Sequence, residues 1–394
     1  MLGSIGIEVR FKTIVGDEQM DILDSLKHAV KRADVVVMTG GLGPTVDDRT
    51  REAVADATGR RLNRRKEALD ALAARLVQWG RTATKGQLGQ AMIPSGSIVL
   101  PNPVGSAPGF LLTWKGSIVT VLPGVPCEME AMMRESVLPL LAARIPQLRG
   151  GRSKPIRRVV FHTWGLPEAE VDAKLQGLLP RGISVDLGLL ASPMGVLVSL
   201  TTKPNRSVDE RALASLTESV RVRLGEWLYA EGNDTMEQIV GRLLIERRLT
   251  LAVAESCTGG LIGHRLTQVP GSSAYVERGA ICYSNRAKTE MLGVPEEIIT
   301  KHGAVSLEVA AAMAKGIRER AGVSVGLSVT GIAGPGGATE VKPIGLVYVG
   351  LDGGAGGMVT REFRFHGNRS VIKQRSSQAA LDVLRRWLGD RGGQ

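Results

Sequence analysis

Short apolar runs alternate along the chain with longer segments whose apolar residues recur at helical spacing, and the runs end in glycine-rich turns. After Asp34, Val-Val-Val-Met stops at Thr39-Gly40-Gly41-Leu42-Gly43-Pro44-Thr45, and Asp47 to Thr58 reads as a helix. A second run, Ile118 to Leu122, ends in Pro123-Gly124-Val125-Pro126 and leads into a helix carrying Glu128. Strand, glycine turn, helix is the repeating step of a parallel α/β unit. Ligands of open α/β sheets sit beyond the carboxyl ends of strands, where both turns fall.

The pattern changes at Leu148 to Lys154, a stretch of Arg, Gly, Ser and Lys that ends at Pro155 and reads as a linker. Beyond it come a strand at Arg158 to Thr163, a helix at Glu168 to Leu179, a strand pair at Val185 to Leu187 and Val196 to Thr201, and a helix at Val208 to Leu224. This is a small α+β module without a chemical cluster. A third unit opens with a helix at Met236 to Arg247 and an apolar strand at Leu249 to Ala254. Its turn is Glu255-Ser256-Cys257-Thr258-Gly259-Gly260, followed by a helix to Gln268. A short strand at Ala280 to Tyr283 follows, then a helix from Leu307 to Ala321 with Ser306 as its N-cap. A buried strand, Val325 to Val329, ends in Thr330-Gly331-Ile332-Ala333-Gly334-Pro335, Gly345 to Leu351 reads as another, and Arg369 to Leu388 closes the chain as a helix with an Ala-Leu face. No internal repeat is evident.

With 394 residues the chain needs more than one core. Three scattered cysteines, Cys127, Cys257 and Cys282, fit neither a disulfide framework nor a zinc site and point to a reducing compartment. The chain shows no signal-peptide pattern and no apolar run long enough for a membrane span. A cytoplasmic protein without a membrane partner is expected. The net charge of +11 raises the question of nucleic acid. Its clusters, Arg60, Arg61, Arg64, Arg65 and Lys66, then Arg149, Arg152, Lys154, Arg157 and Arg158, carry no interleaved aromatics. They read as a solvated face and a basic linker, and a nucleic-acid partner is not expected.

The densest polar constellation lies between Ser256 and Lys342. A strand ending in Glu-Ser-Cys-Thr-Gly-Gly before a helix exposes Ser256 at the sheet edge, beside backbone N–H groups able to hold a phosphate or an oxyanion. The five histidines show no triad spacing, so another base is needed. Lys288, in Tyr283-Ser284-Asn285-Arg286-Ala287-Lys288, serves if burial or a nearby cation such as Arg278 or Arg286 keeps it neutral. The competing reading is a surface lysine and a helix-capping serine.

A run of motifs now carries a resemblance. It comprises Ala254-Glu255-Ser256-Cys257-Thr258-Gly259-Gly260, Gly271-Ser272-Ser273, Glu277-Arg278-Gly279, Tyr283-Ser284-Asn285 with Lys288, Gly303-Ala304-Val305-Ser306, Thr330-Gly331-Ile332-Ala333-Gly334-Pro335, and Lys342-Pro343 with Gly345. In this order they resemble the C-terminal domain of the competence/damage-inducible CinA family, whose members include nicotinamide-mononucleotide amidohydrolases. The resemblance implies Ser256 as nucleophile, assisted by Tyr283 and Lys288. Thr258, Gly259, Gly260, Arg278, Asn285, Thr330, Gly331, Ala333, Gly334 and Lys342 are the expected substrate contacts. The substrate expected is a small-molecule nucleotide, with no cofactor for the amidase.

Upstream, Thr39 to Thr45 with Asp47-Asp48, Gly105-Ser106-Ala107-Pro108-Gly109, and Leu122 to Pro126 with Glu128-Met129 resemble the family's molybdopterin-binding-like domain. In full-length relatives that domain is linked to metal-dependent cleavage of ADP-ribose. The resemblance implies that Asp47, Asp48 and Glu128 could hold a divalent metal there; the alternative is that the turns are fold punctuation only. The family opens with a further strand, turn and helix before the segment matching Ile7 to Asp17, so this domain is expected to lack its first strand. The middle module resembles the family's KH-like domain, without a Gly-x-x-Gly loop. The expected architecture is α/β: two three-layer domains, residues 1–147 and 233–394, joined by a small KH-like α+β module at 155–231. A homodimer is expected. A DNA-associated competence factor without catalysis is the alternative function.

Overall fold

The computed structural model describes residues 1–148, 155–203 and 210–390. The expected linker therefore lies almost wholly outside the described residues, together with Arg149, Arg152, Lys154 and the first two residues of the helix expected from Val208. Contacts divide the chain into two compact units, Met1–Arg157 with Thr202–Ser207, and Arg158–Thr201 with Val208–Gln394.

The first unit holds a four-stranded sheet in the order Val35–Thr39, Ser117–Leu122, Gly109–Trp114, Ile98–Leu100. Only the first pair is parallel. Successive residues of a strand point to opposite faces. Phe110 and Leu112 accordingly enter one core with Leu26, Val54 and Ala68, while Leu111 enters another with Met132, Val137 and Leu141. Helices thus cover both faces, as a three-layer unit requires. Within the described residues Val35–Thr39 pairs only with Ser117–Leu122 and forms a sheet edge. The helix expected from Asp47 begins at Thr50, because Asp48 accepts from the Thr45 N–H and hydroxyl and closes a turn ahead of it.

In the second unit, strands Arg158–Thr163, Val185–Ser192, Gly195–Thr202 and Leu228–Glu231 form one sheet, with helices Glu168–Leu175 and Glu210–Leu224 sharing its core. The hairpin strands run longer than the sequence suggests. Trp164 ties this module to the rest of its unit: it is buried with Met236 and Val240, and its ring lies 6.4 Å from that of Phe365.

The remaining sheet has five strands in the order Val276–Ile281, Leu251–Glu255, Val325–Gly331, Leu346–Asp352, Met358–Arg364. The first three are parallel and the last two antiparallel. Leu251 and Val253 face a core shared with helices Met236–Glu246, Leu261–Thr267 and Arg369–Asp390. Ala252 and Ala254 face the other, shared with helices Asn285–Leu292, Glu296–His302 and Leu307–Ala321. Each fully buried Leu or Val on these faces contributes about 1.5–3 kcal/mol. No described helix is long and apolar enough to cross a membrane.

Candidate functional site

The parallel strand Leu251–Glu255 delivers Ser256 at its carboxyl end, where the Ser256 N–H still donates to Val329 O of the neighbouring strand at 2.9 Å. The main chain then turns through Gly259 and Gly260, both at positive φ, into helix Leu261–Thr267. Glu255 holds this turn. By strand alternation its side chain follows Leu251 and Val253 toward the helix start, and it is 2% exposed. Its carboxylate accepts the N–H groups of Gly260 (3.0 Å), Ile262 (3.1 Å) and Gly263 (2.8 Å). An anion there satisfies helix-start donors and suits the positive end of the helix.

Lys288 comes from the opposite side. Ser284 caps helix Asn285–Leu292, accepting the Ala287 N–H at 3.0 Å, and Lys288 sits in its first turn pointing inward. Its Nζ lies 3.0 Å from Ser256 Oγ, 3.0 Å from Cys282 O and 3.3 Å from Tyr283 O. Lys288 is 1% exposed and Ser256 7%. Burial depresses the lysine pKa below its usual range. Neither of the cations suggested by the sequence assists. Arg286 is exposed beside Glu290, and Arg278 donates to Arg320 O at the far end of helix Leu307–Ala321, away from Ser256. Cys257 is buried too, and burial pushes its thiol up to about 12.

Tyr283 is 58% exposed, and its hydroxyl accepts from Arg369 Nη2 at 2.7 Å. Arg369 Nη1 donates to Gly334 O at 2.7 Å. One guanidinium therefore bridges the Tyr283 segment and the 331–337 glycine loop. The sequence reading missed Arg369, although its position at the head of the last helix, beside the capping Asn368, was visible. Missed as well were the part played by Glu255 and the presence of Lys373, whose ammonium would lie 3.5 Å from a Cβ placed on Gly259.

Other expected substrate contacts are placed differently. The Gly260 N–H is taken by Glu255, and the Gly259 N–H donates to Ser256 O at 3.2 Å. Thr330 Oγ1 donates to Ala304 O at 2.8 Å, and Lys342 Nζ to His302 O at 2.6 Å and Val305 O at 2.7 Å. Both side chains pin the 302–305 loop. Gly331 packs against Leu346 and Val347, Ala333 is buried, and Asn285 is exposed at the start of its helix. Thr258 is fully buried, with no hydrogen-bond partner on its hydroxyl.

In the first unit the carboxylates do not gather. Asp48 is partly buried, which raises its pKa, but bonds from Thr45 and Gly43 and the Arg51 charge outweigh this and lower it. Glu128 accepts from Asn102 Nδ2 at 2.7 Å. Asp47 is exposed. Among the described residues no three His, Cys, Asp or Glu side chains are grouped to hold a metal, so Asp47, Asp48 and Glu128 form no metal centre of their own. A cavity of about 610 Å³ lies instead along the open edge of Val35–Thr39, lined by the 6–17 segment and helix Gln19–Val30. Of the basic cluster, Arg60 donates to Ser95 O and Thr113 O, and Arg65 to Ser97 O, which is structural work.

Comparison with known proteins gives three domain matches in order: the "Probable molybdopterin binding domain" over residues 1–143, the "Damage-inducible protein CinA KH domain" over 158–230 and the "CinA C-terminal domain" over 233–388. A "Putative competence-damage inducible protein" of Halothermothrix orenii is 41% identical over 388 residues, 98% of this chain and 92% of its own. The chain belongs to the CinA family. A "CinA-like protein" of Geotalea uraniireducens is 40% identical over the same share of this chain and 91% of its own. The crystal structure of competence/damage inducible protein CihA from Agrobacterium tumefaciens is 40% identical, covering 39% of this chain and 94% of that one with a TM-score of 0.37.

Proposed function

We propose that this CinA-family chain hydrolyses the carboxamide of nicotinamide mononucleotide, releasing ammonia and nicotinate mononucleotide. The observation that carries this reading is the 3.0 Å approach of Lys288 Nζ to Ser256 Oγ in a buried setting. A neutral amine has two N–H bonds and one lone pair. Cys282 O and Tyr283 O can take the two N–H bonds, which leaves the lone pair facing the Ser256 hydroxyl.

In this scheme Ser256 Oγ attacks the amide carbon while Lys288 takes its proton. The Thr258 N–H, which among the described residues donates to no carbonyl, is the turn's donor for the developing oxyanion. Lys288 then gives the proton to the amide nitrogen. The C–N bond breaks, ammonia leaves and an ester to Ser256 remains. Water attacks the ester, its proton passes through Lys288 back to Ser256, and the nicotinate product departs. The Arg369-bound Tyr283 hydroxyl stands at the mouth and orients the substrate. The test is ammonia release from nicotinamide mononucleotide by the purified chain; absence of release overturns the reading.

A further inference from the structure

Helix Arg369–Asp390 turns two cations toward the site from one face, since residues four apart are neighbours on a helix. Arg369 is spent on Tyr283 and Gly334. Lys373 is not: it is half-buried, and among the described residues its ammonium has no hydrogen bond or ion pair. The ammonium would stand 3.5 Å from a Cβ on Gly259, a residue at φ +61 in the nucleophile's own turn. Beside Gly259, the Thr258 hydroxyl is buried and unpartnered. Among the described residues no ion pair joins Lys373 to the carboxylate of that turn, Glu255, whose oxygens accept from Gly260, Ile262 and Gly263. A free ammonium beside Gly259, at a turn whose backbone lacks a side chain there, is arranged for an anionic oxygen ligand.

We propose that Lys373 is a specificity-determining residue that receives the phosphate of the substrate nucleotide. This inference rests on the amidase reading and assigns the charged end of its substrate. Lys373 makes a mononucleotide a better substrate than the same nucleoside without phosphate, and it takes no part in the proton transfers between Ser256 and Lys288.

The experiment compares ammonia release from nicotinamide mononucleotide and from nicotinamide riboside, using the full chain and its Lys373→Met and Lys373→Arg variants. A charge-assisted contact is worth about tenfold to a hundredfold in affinity. The expected result for Lys373→Met is a fall of that size in the ratio of kcat/KM for mononucleotide over riboside. It appears in KM for the mononucleotide, and Lys373→Arg restores most of it. An unchanged ratio, including equal losses on both substrates, overturns the proposal while leaving the amidase reading in place. If the unaltered chain hydrolyses neither substrate, the amidase reading fails, and thermal protection by inorganic phosphate decides on Lys373. Protection of the unaltered chain that is lost in Lys373→Met supports an anion site, and equal protection of both overturns it.

Discussion

Lys288 Nζ stands 3.0 Å from Ser256 Oγ, and main-chain carbonyls at 3.0 and 3.3 Å occupy its other directions. No carboxylate is among the charges that act on it. A charged ammonium in this position lacks a counterion, so the fold favours the neutral amine, the form a general base requires.

Activity should therefore rise with pH through a lysine pKa below the usual value of 10.5. Stability follows the same titration. With the folded-state pKa depressed, the unfolded chain binds more protons between the folded value and 10.5, so stability rises with pH across that window. Below the folded value the full penalty of desolvating the charge remains. Lys288→Met should remove this pH dependence and abolish ammonia release, and Lys288→Arg should be nearly inactive because a guanidinium stays protonated. Thermal melts and pH–rate profiles of the three proteins check this; substantial turnover by Lys288→Arg would leave Lys288 a binding group only.

Ser256 and Cys257 are adjacent, and a thiolate is the stronger nucleophile. Burial pushes the Cys257 thiol up to about 12, however, so almost none of it is ionised near neutral pH. Ser256→Ala should lose ammonia release by a factor of about 10³ or more, whereas Cys257→Ala keeps most of it. The opposite pattern would move the chemistry to the thiol.

Arg369 joins two loops that come from opposite sides of the sheet's carboxyl edge. Arg369→Ala removes the donors to Tyr283 Oη and Gly334 O together. Two hydrogen bonds of this kind, one of them exposed, are worth about 1–3 kcal/mol in all, or roughly tenfold to a hundredfold in kcat/KM. Tyr283→Phe should show a smaller loss, and the double variant should fall short of the sum because the two residues share a contact. Additive losses would mean that Arg369 and Tyr283 act independently.

Much of this arrangement was legible in the chain. Ser256 and Lys288 announce themselves because each lies just past a strand signal: Ser256 at the strand end before Gly259-Gly260, and Lys288 in the Tyr283-Ser284-Asn285 run that follows the next strand. Both three-layer units were readable from apolar runs that stop at glycine turns. The strand Met358–Arg364 was not, because its side chains are exposed or half-exposed and show no buried run. Nor was the helix Asn285–Leu292, which buries only Lys288 and Leu292 and leaves its other apolar residues, Ala287 and Met291, partly or largely exposed. Thr330 and Lys342 have the chemistry of ligand groups, and only the fold reveals that carbonyls of the 302–305 loop occupy them. Arg369 and Lys373 belong to a helix that reads as an Ala-Leu packing surface, and their link to Ser256 spans more than a hundred residues.

Glu255 is the residue on which the geometry of the nucleophile turn depends. Its carboxylate accepts three main-chain N–H groups between Gly260 and Gly263, at the N-cap and first turn of the helix that follows Ser256. Gln in its place keeps one acceptor oxygen and introduces two donors that face N–H groups; Ala leaves all three N–H groups unsatisfied in a buried site. Each such orphan costs about 1–3 kcal/mol, so Glu255→Ala should lose at least about 2 kcal/mol of stability, with Glu255→Gln between it and the unaltered chain. The turn carries Ser256 at one end and Thr258 beside Gly259, so loosening it should lower kcat more than it raises KM, even where the variant remains folded. Denaturant unfolding and ammonia-release kinetics at a temperature well below the melting point of each variant separate the two effects. A Glu255→Gln protein with unaltered kcat and stability would show that the backbone holds this turn without the carboxylate.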